Sequence, residues 1–314
     1  MTLTRVSSAE EWVQRFGKSD KRTVVTIGNF DGVHRGHQKL LQNVVERARR
    51  TGAMASVLTF FPHPARVLRP SVAPSLLSTL DQRLAAFDAA GIDAVLVVRF
   101  DAQVAEITAE TFVKSFLVET MRAEAVLVGE TFRFGHRQHG DVKLLKELGT
   151  QWDFKVEIVQ PVVEGGAVIS SSAIREALRE GRVDDARRML GRPYALDGEI
   201  RPGTGQGRKL IVPTLNLATE QEMLPKTGVY VTEVVVNGKT YGSATNVGMR
   251  PTFNGTGITI ESHLLDFNES LTGGKMEVRF LARLRDEQKF PSFEALREQV
   301  LKDIESARLL YELR

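Results

Sequence analysis

Apolar and polar positions alternate between two periods along the first half of the chain. Val24, Val25, Thr26 and Ile27 form a β-branched run, the mark of a strand. Leu40, Leu41, Val44, Val45 and Ala48 then recur at helical spacing until Gly52 stops them. ASVLTFF predicts the next strand, and Ser78 with Asp81 predicts a capping box opening the helix TLDQRLAAFDAAG. DAVLVVRF, AETFVKSFLVETM, AEAVLVG, DVKLLKELG and KVEIVQPV continue the alternation of strand and helix. Strands this apolar need cover on both faces, so the pattern predicts an α/β fold with a parallel sheet between helices. Ligands in such sheets bind beyond the carboxyl ends of the strands, where GNFDGVHRGH, TFFPHP and VGETFRFG fall.

From about residue 192 the pattern shortens. After the helical stretches SAIREALREG and VDDARRMLG come GEIRPGTGQGRKL, GVYVTEVVVNGKTYGSATNVG, ITIESHLLDF and KMEVRFLARLR, apolar runs spaced by Gly and Asn turns. They predict a mostly-β unit, an antiparallel sheet or small barrel. One helix, SFEALREQVLKDIESARLLYEL, ends the chain. The texture changes between Gly181 and Pro193, which predicts two domains, 1–188 and 189–314, without a long linker or internal repeats.

Composition adds mainly exclusions. The 314 residues contain no cysteine, which excludes disulfides, thiolate metal sites and cysteine nucleophiles. The opening residues lack the apolar core of a signal peptide, and no stretch has the length of a membrane span, so a cytoplasmic protein with no membrane partner is expected. With 42 basic and 39 acidic residues the net charge is only +3, and the densest basic stretches lie on amphipathic helices. No nucleic-acid partner is therefore expected, and a homo-oligomer is left open.

The turn GNFDGVHRGH carries the first candidate chemistry. Gly28, Gly32 and Gly36 allow close backbone approach, and the helix predicted to start near His37 aims unsatisfied N–H groups at the same place. His34 and His37, three apart, can project to one side and donate to phosphate oxygens as charge builds there. A turn with a helix cap explains the glycines but not both imidazoles. Far downstream ISSSAIR, Ile169 to Arg175, offers the hydroxyls of Ser171 and Ser172, helix N-terminal N–H groups and Arg175, a second anion cradle.

The second half has its own candidates. Thr214 and Asn216 alternate by two and share a strand face; their neutral oxygens suit Mg²⁺ carrying phosphate ligands. Upstream, Gly203, Gly207 and Arg208 sit in a glycine-rich loop able to fold its N–H groups over phosphates.

These motifs resemble, in order and over nearly the whole chain, the bacterial bifunctional riboflavin kinase and FAD synthetase family. The resemblance implies a Rossmann-like nucleotidylyltransferase domain followed by a riboflavin kinase barrel with a terminal helix. It implies that the second domain phosphorylates riboflavin with ATP to FMN, and that the first adenylylates FMN to FAD with release of pyrophosphate. ATP in the first site would be held by Gly28, Phe30, Asp31, Gly32, His34, Gly36, His37, Ser171, Ser172 and Arg175, the two histidines being catalytic. The flavin there would meet Pro62, His63, Pro64, Thr131, Phe132 and Phe134. In the second site Gly203, Gly207, Arg208, Thr214 and Asn216 would hold Mg²⁺·ATP, Glu261 would be the general base, and Arg285 and Lys289 would lie near the flavin. Ser172 stands for the family's threonine, Thr131 where Asp or Asn is common, and Ile211 where glycine is frequent. Two other readings stay open at this point: retention of one activity alone, and a non-catalytic flavin- or RNA-binding regulator on the same scaffold.

Overall fold

A computed structural model describes residues 3–201, 212–252, 255–269 and 271–313. By packing, the chain divides into two compact units, Met1–Ser170 and Ser171–Arg314.

The first unit runs β1 (Thr4–Val6), α1 (Ala9–Phe16), β2 (Thr23–Ile27), α2 (Arg35–Thr51), β3 (Met54–Phe61), α3 (Pro64–Leu68), α4 (Leu80–Ala89), β4 (Ala94–Arg99), α5 (Ala102–Ala105), α6 (Ala109–Phe112), β5 (Ala123–Gly129), α7 (Val142–Gln151), β6 (Lys155–Val159) and the hairpin β7 (Val163–Glu164) with β8 (Ala167–Val168). Helix α6 continues as a π-helical segment, Val113–Thr120. Six strands form one parallel sheet in the order β1-β4-β3-β2-β5-β6. Alternate residues of each strand feed separate cores. Val25, Ile27, Leu96 and Val126 join Phe112, Leu117 and Leu145 on one face, while Val24, Val57, Val95 and Leu127 join Leu41, Val44 and Phe87 on the other. Successive strands step one way from β2 to β4 and the other way from β5 to β6. The order therefore reverses between β2 and β5, and a crevice opens at their carboxyl ends. The strand β1 and helix α1 precede the first element that the apolar pattern predicts.

The second unit opens with α8 (Ser171–Arg179) and α9 (Val183–Leu190). Six strands follow: β9 (Tyr194–Arg201), β10 (Leu215–Ala218), β11 (Gly228–Val236), β12 (Lys239–Thr252), β13 (Gly255–Leu264) and β14 (Lys275–Arg285). They close a barrel in the order β10-β13-β12-β11-β14-β9, and α10 (Phe293–Glu312) packs on β11, β12 and β14. The sequence pattern predicts a division at 188/189, whereas the packing division falls earlier because α8 and α9 pack on each other and α9 packs on β9 and β14.

Inside the barrel the hydroxyls of Thr232, Thr245 and Ser262 form a fully buried chain, with oxygens 2.6 and 2.8 Å apart. Each of these three buried hydroxyls thus has a partner. Since Thr245 and Ser262 point inward, the next residues along, Asn246 and Glu261, project outward.

Candidate active sites

The turn Gly28–Gly36 leaves β2 at the switch point of the sheet. It is a strained piece of backbone: Phe30 has φ +52°, Gly32 +79° and Val33 +39°. A left-handed φ at a β-branched residue is costly and persists only where the surroundings impose it. Asp31 supplies most of that constraint. Its buried carboxylate accepts the N–H of Leu77 (3.0 and 3.1 Å), the N–H of Ser78 (3.1 Å) and the Ser78 hydroxyl (3.3 Å). The Gly32 N–H donates to Ser78 Oγ at 2.9 Å, and Gln38 Nε2 donates to the Val33 carbonyl at 2.8 Å. Arg83, 2% exposed, donates to the Asn29 carbonyl at 2.7 Å. Burial pulls the Arg83 guanidinium below its ordinary value, and the Asp31 charge opposes that.

On this base stand the two imidazoles. His34 is the N-cap of α2, which starts at Arg35 rather than near His37; its Nδ1 accepts the His37 backbone N–H at 3.4 Å. With Nδ1 as the acceptor, the ring N–H of a neutral His34 is on Nε2. The rings of His34 and His37 stack with centroids 3.7 Å apart at 17°. Gly36 keeps the approach open, because a Cβ at that position would lie 3.2 Å from the His34 ring and the ring would have to give by a few tenths of an ångström. His37 Nδ1 is buried without a hydrogen-bond partner. Burial, and secondarily the neighbouring His34, hold the His37 pKa well below the usual imidazole value. The ring is therefore neutral near pH 7 and offers a single N–H.

Several expected contacts take other roles. Phe30 is buried and packs edge-on against His37 (5.1 Å) and Phe87 (5.3 Å), so it supports the imidazole instead of facing a ligand. Asp31 is likewise occupied by backbone N–H groups. The cap of α4 is Thr79 with Gln82, a complete capping box, and Ser78 serves the turn.

The flavin-side expectations divide as well. His63 lies between Pro62 and Pro64, and its Nδ1 caps α3 through the Ala65 N–H at 3.1 Å. Phe132 and Phe134 stack at 5.4 Å, but Phe134 belongs to the hydrophobic core beside Phe112. A side chain at Gly140 would collide with its ring at 2.8 Å. Phe132 is the half-buried member of the pair and Thr131 is exposed. Ser171, Ser172 and Arg175 form the first turns of α8, in the second unit.

On the barrel, Asn216 of β10 lies directly opposite Glu261 of β13. Side chains so paired have Cβ atoms about 4.5–5.5 Å apart. Thr214 precedes β10; the adjoining Pro213 carbonyl lies 2.9 Å from the His263 Nδ1, which ties this segment to β13. Hydroxyl and amide oxygens beside one carboxylate are hard, nearly neutral donors, a set that fits a magnesium ion keeping its waters and phosphates. Among the described residues no three His, Cys, Asp or Glu side chains gather to hold a metal. Gly203, Gly207, Arg208 and Ile211 lie outside the described residues. Arg285, expected near a flavin, is instead spent on Asp303 of α10, with contacts of 2.6, 3.0 and 3.1 Å. Its Nη1 also donates to the Asp286 carbonyl at 2.9 Å. Lys289 is exposed.

Each unit thus presents groups suited to charge developing on phosphate oxygens, and the class they define is that of phosphoryl- and nucleotidyl-transferring enzymes. Residues 17–173 match the family model described as FAD synthetase, and residues 190–311 match that of riboflavin kinase. The bifunctional riboflavin kinase/FMN adenylyltransferase of Escherichia coli K12 is 38% identical over 291 residues, covering 92% of this chain and 93% of that protein. The proteins of the same description from Pseudomonas fluorescens and Haemophilus influenzae are 38% and 34% identical over 288 residues, covering 91% of this chain and 92% and 94% of theirs. The chain belongs to the bifunctional riboflavin kinase/FMN adenylyltransferase family. A crystal structure described as a macrolide-efflux protein from Streptococcus pneumoniae superimposes with a TM-score of 0.86 at 28% identity, covering 98% of this chain and 99% of that one. Among the described residues no helix is long and apolar enough to cross a membrane.

Proposed function

We propose that the chain makes FAD from riboflavin in two ATP-dependent steps, one in each unit. The observation that supports this reading is that each unit holds its own polar constellation: a stacked imidazole pair at a helix N-terminus in one, a carboxylate opposite an amide on the barrel in the other.

In the kinase step the riboflavin 5′-hydroxyl attacks the γ-phosphorus of ATP. Glu261 takes the hydroxyl proton, the bond to the β-phosphate oxygen breaks, and FMN and ADP result. Thr214 and Asn216 would hold Mg²⁺, which supplies charge neutralisation on the phosphates. In the adenylylation step a phosphate oxygen of FMN attacks the α-phosphorus of a second ATP and pyrophosphate leaves. No proton transfer is needed, so the site must position the reactants and stabilise charge. The His34 Nε2–H and the single N–H of neutral His37 donate to the phosphate oxygens, and the N-terminus of α2 adds its partial positive charge. The half-exposed Phe132 offers a face to the flavin ring. For Ser171, Ser172 and Arg175 the nucleotide-binding role rests on the motif alone. A cytoplasmic location, where ATP is available, belongs to the same proposal.

Labelled ATP tests it. Purified protein with riboflavin, Mg²⁺ and γ-labelled ATP should place label in both FMN and FAD, whereas α-labelled ATP should label FAD and leave FMN unlabelled. α-Label in FMN, or no FAD at all, contradicts the reading.

A further inference from the structure

A cavity of about 430 Å³ lies in the first unit at the amino ends of β5 and β6, the edge of the sheet opposite the turn that carries His34 and His37. Small-molecule sites span about 300–1,000 Å³. Helices α2 and α7 reach the cavity with their last turns and bring the partial negative charge of their carbonyl ends. Most charges on its wall are matched. Arg22 donates to the Ala123 and Asp153 carbonyls at 2.7 and 2.9 Å and lies 3.6 Å from the Asp153 carboxylate, and Arg47 pairs with Glu157 at 2.8 Å. Two charges are not matched. The half-buried Glu124 has a carboxylate oxygen shut off from solvent without a hydrogen-bond donor. Lys155, exposed at the start of β6, has no acidic partner among the described residues. The two stand on adjacent strands, Lys155 opposite Ala125 and so one residue from Glu124, and yet they do not pair with each other.

We propose that this cavity binds a small zwitterion, a molecule of the amino-acid or short-peptide class, with its ammonium received by Glu124 and its carboxylate by Lys155. An ammonium carries three N–H groups and needs three acceptors. The Glu124 carboxylate is one. The hydroxyls of Thr51 and Thr150 are two more, because each spends its proton on its own helix, on the Arg47 carbonyl at 3.3 Å and the Lys146 carbonyl at 3.1 Å, and keeps its lone pairs. Rotation about the last torsion of Glu124, which is broad, turns the buried oxygen toward the cavity. On the other side Lys155 meets the ligand carboxylate, with Arg22 and Arg47 adding positive charge and the buried Arg47 Nε also lacking an acceptor. A simple anion would leave the Glu124 oxygen unsatisfied and beside a like charge. A simple cation would leave Lys155 unmatched and approach two guanidiniums. A ligand carrying both charges completes both walls.

Titration calorimetry of the full chain tests this. The probes are ω-amino acids of increasing length, from glycine through γ-aminobutyrate to ε-aminocaproate, together with glycylglycine and triglycine; the two series distinguish free amino acid from peptide. At least one should bind with a Kd of about 1 mM or tighter. Butylamine and butyrate, with one charge each, should bind about tenfold more weakly than that zwitterion, the scale of a lost hydrogen bond to a charged group. Glu124→Gln and Lys155→Gln should each weaken the zwitterion about tenfold, with urea unfolding of each variant reporting that the fold is kept. If Glu124→Gln does not fold, Lys155→Gln, at an exposed position, decides alone. No binding of any zwitterion at about 10 mM would overturn the proposal, as would wild-type affinity in the folded variants or butylamine binding as tightly as the zwitterions.

Discussion

Replacing Asp31 with asparagine alters one oxygen and removes one charge, yet it strikes the support of the first site. The Asp31 carboxylate accepts four donor contacts between 3.0 and 3.3 Å from Leu77 and Ser78, and it opposes the burial of the Arg83 charge. An amide nitrogen there would face N–H donors, so at least one bond is lost and the remainder weaken. Hydrogen bonds to a charged acceptor contribute about 1.5–3 kcal/mol each, and an uncompensated buried charge adds to the loss. Asp31→Asn should therefore destabilise the first unit by about 3 kcal/mol, read from urea unfolding, whereas surface substitutions stay within about 0.5 kcal/mol. The strained residues Phe30 and Val33 would relax, carrying His34 and His37 with them. A misplacement near 1 Å costs about a hundredfold in rate. FMN adenylylation, followed by chromatography of FAD, should fall by that order while riboflavin phosphorylation persists. Near wild-type adenylylation by Asp31→Asn, or equal loss of both steps, would refute the reasoning.

Two further outcomes follow from the geometry. Because burial and His34 depress the His37 pKa, its ring should remain neutral in ¹⁵N NMR at pH 6, where an ordinary imidazole is largely protonated. The unfolded chain takes up a proton below about pH 6.5 that folded His37 refuses, so its contribution to stability is full above that pH. It is lost as the pH falls toward the depressed folded value; denaturation midpoints that do not decline in that window for wild type relative to His37→Gln would contradict the assignment. Asp303→Asn should loosen α10 from the barrel, since Arg285 and Asp303 are both largely buried and paired at 2.6 Å. A loss of about 3 kcal/mol is expected, and an unchanged unfolding curve would count against a structural role for Arg285.

Much of this was legible in the sequence because it is local. The β-branched and apolar runs that build β2 to β6 announce a sheet covered on both faces, and GNFDGVHRGH names its own place beyond β2. What escaped depends on long-range partners. Ser78 and Thr79 are adjacent hydroxyl residues and either could cap α4; only the fold brings Asp31 to Ser78 and leaves Thr79 for the helix. Phe132 and Phe134 look alike in the chain, but Gly140 makes room for the second in the core. The strand β1 is three residues long with one buried side chain, too little for a period to register. The resemblance places Arg285 near a flavin, and only the fold shows its pairing with Asp303, eighteen residues further on. The apposition of Asn246 to Glu261 is a matter of strand register, which spacing alone does not reveal.

The central claim is that two separate sites act at different phosphorus atoms of ATP. Product chromatography of His37→Ala and Glu261→Ala variants tests it most directly. His37→Ala should convert riboflavin to FMN and accumulate it, while Glu261→Ala should make no FMN yet turn supplied FMN into FAD. Parallel loss of both conversions in either variant would contradict the account.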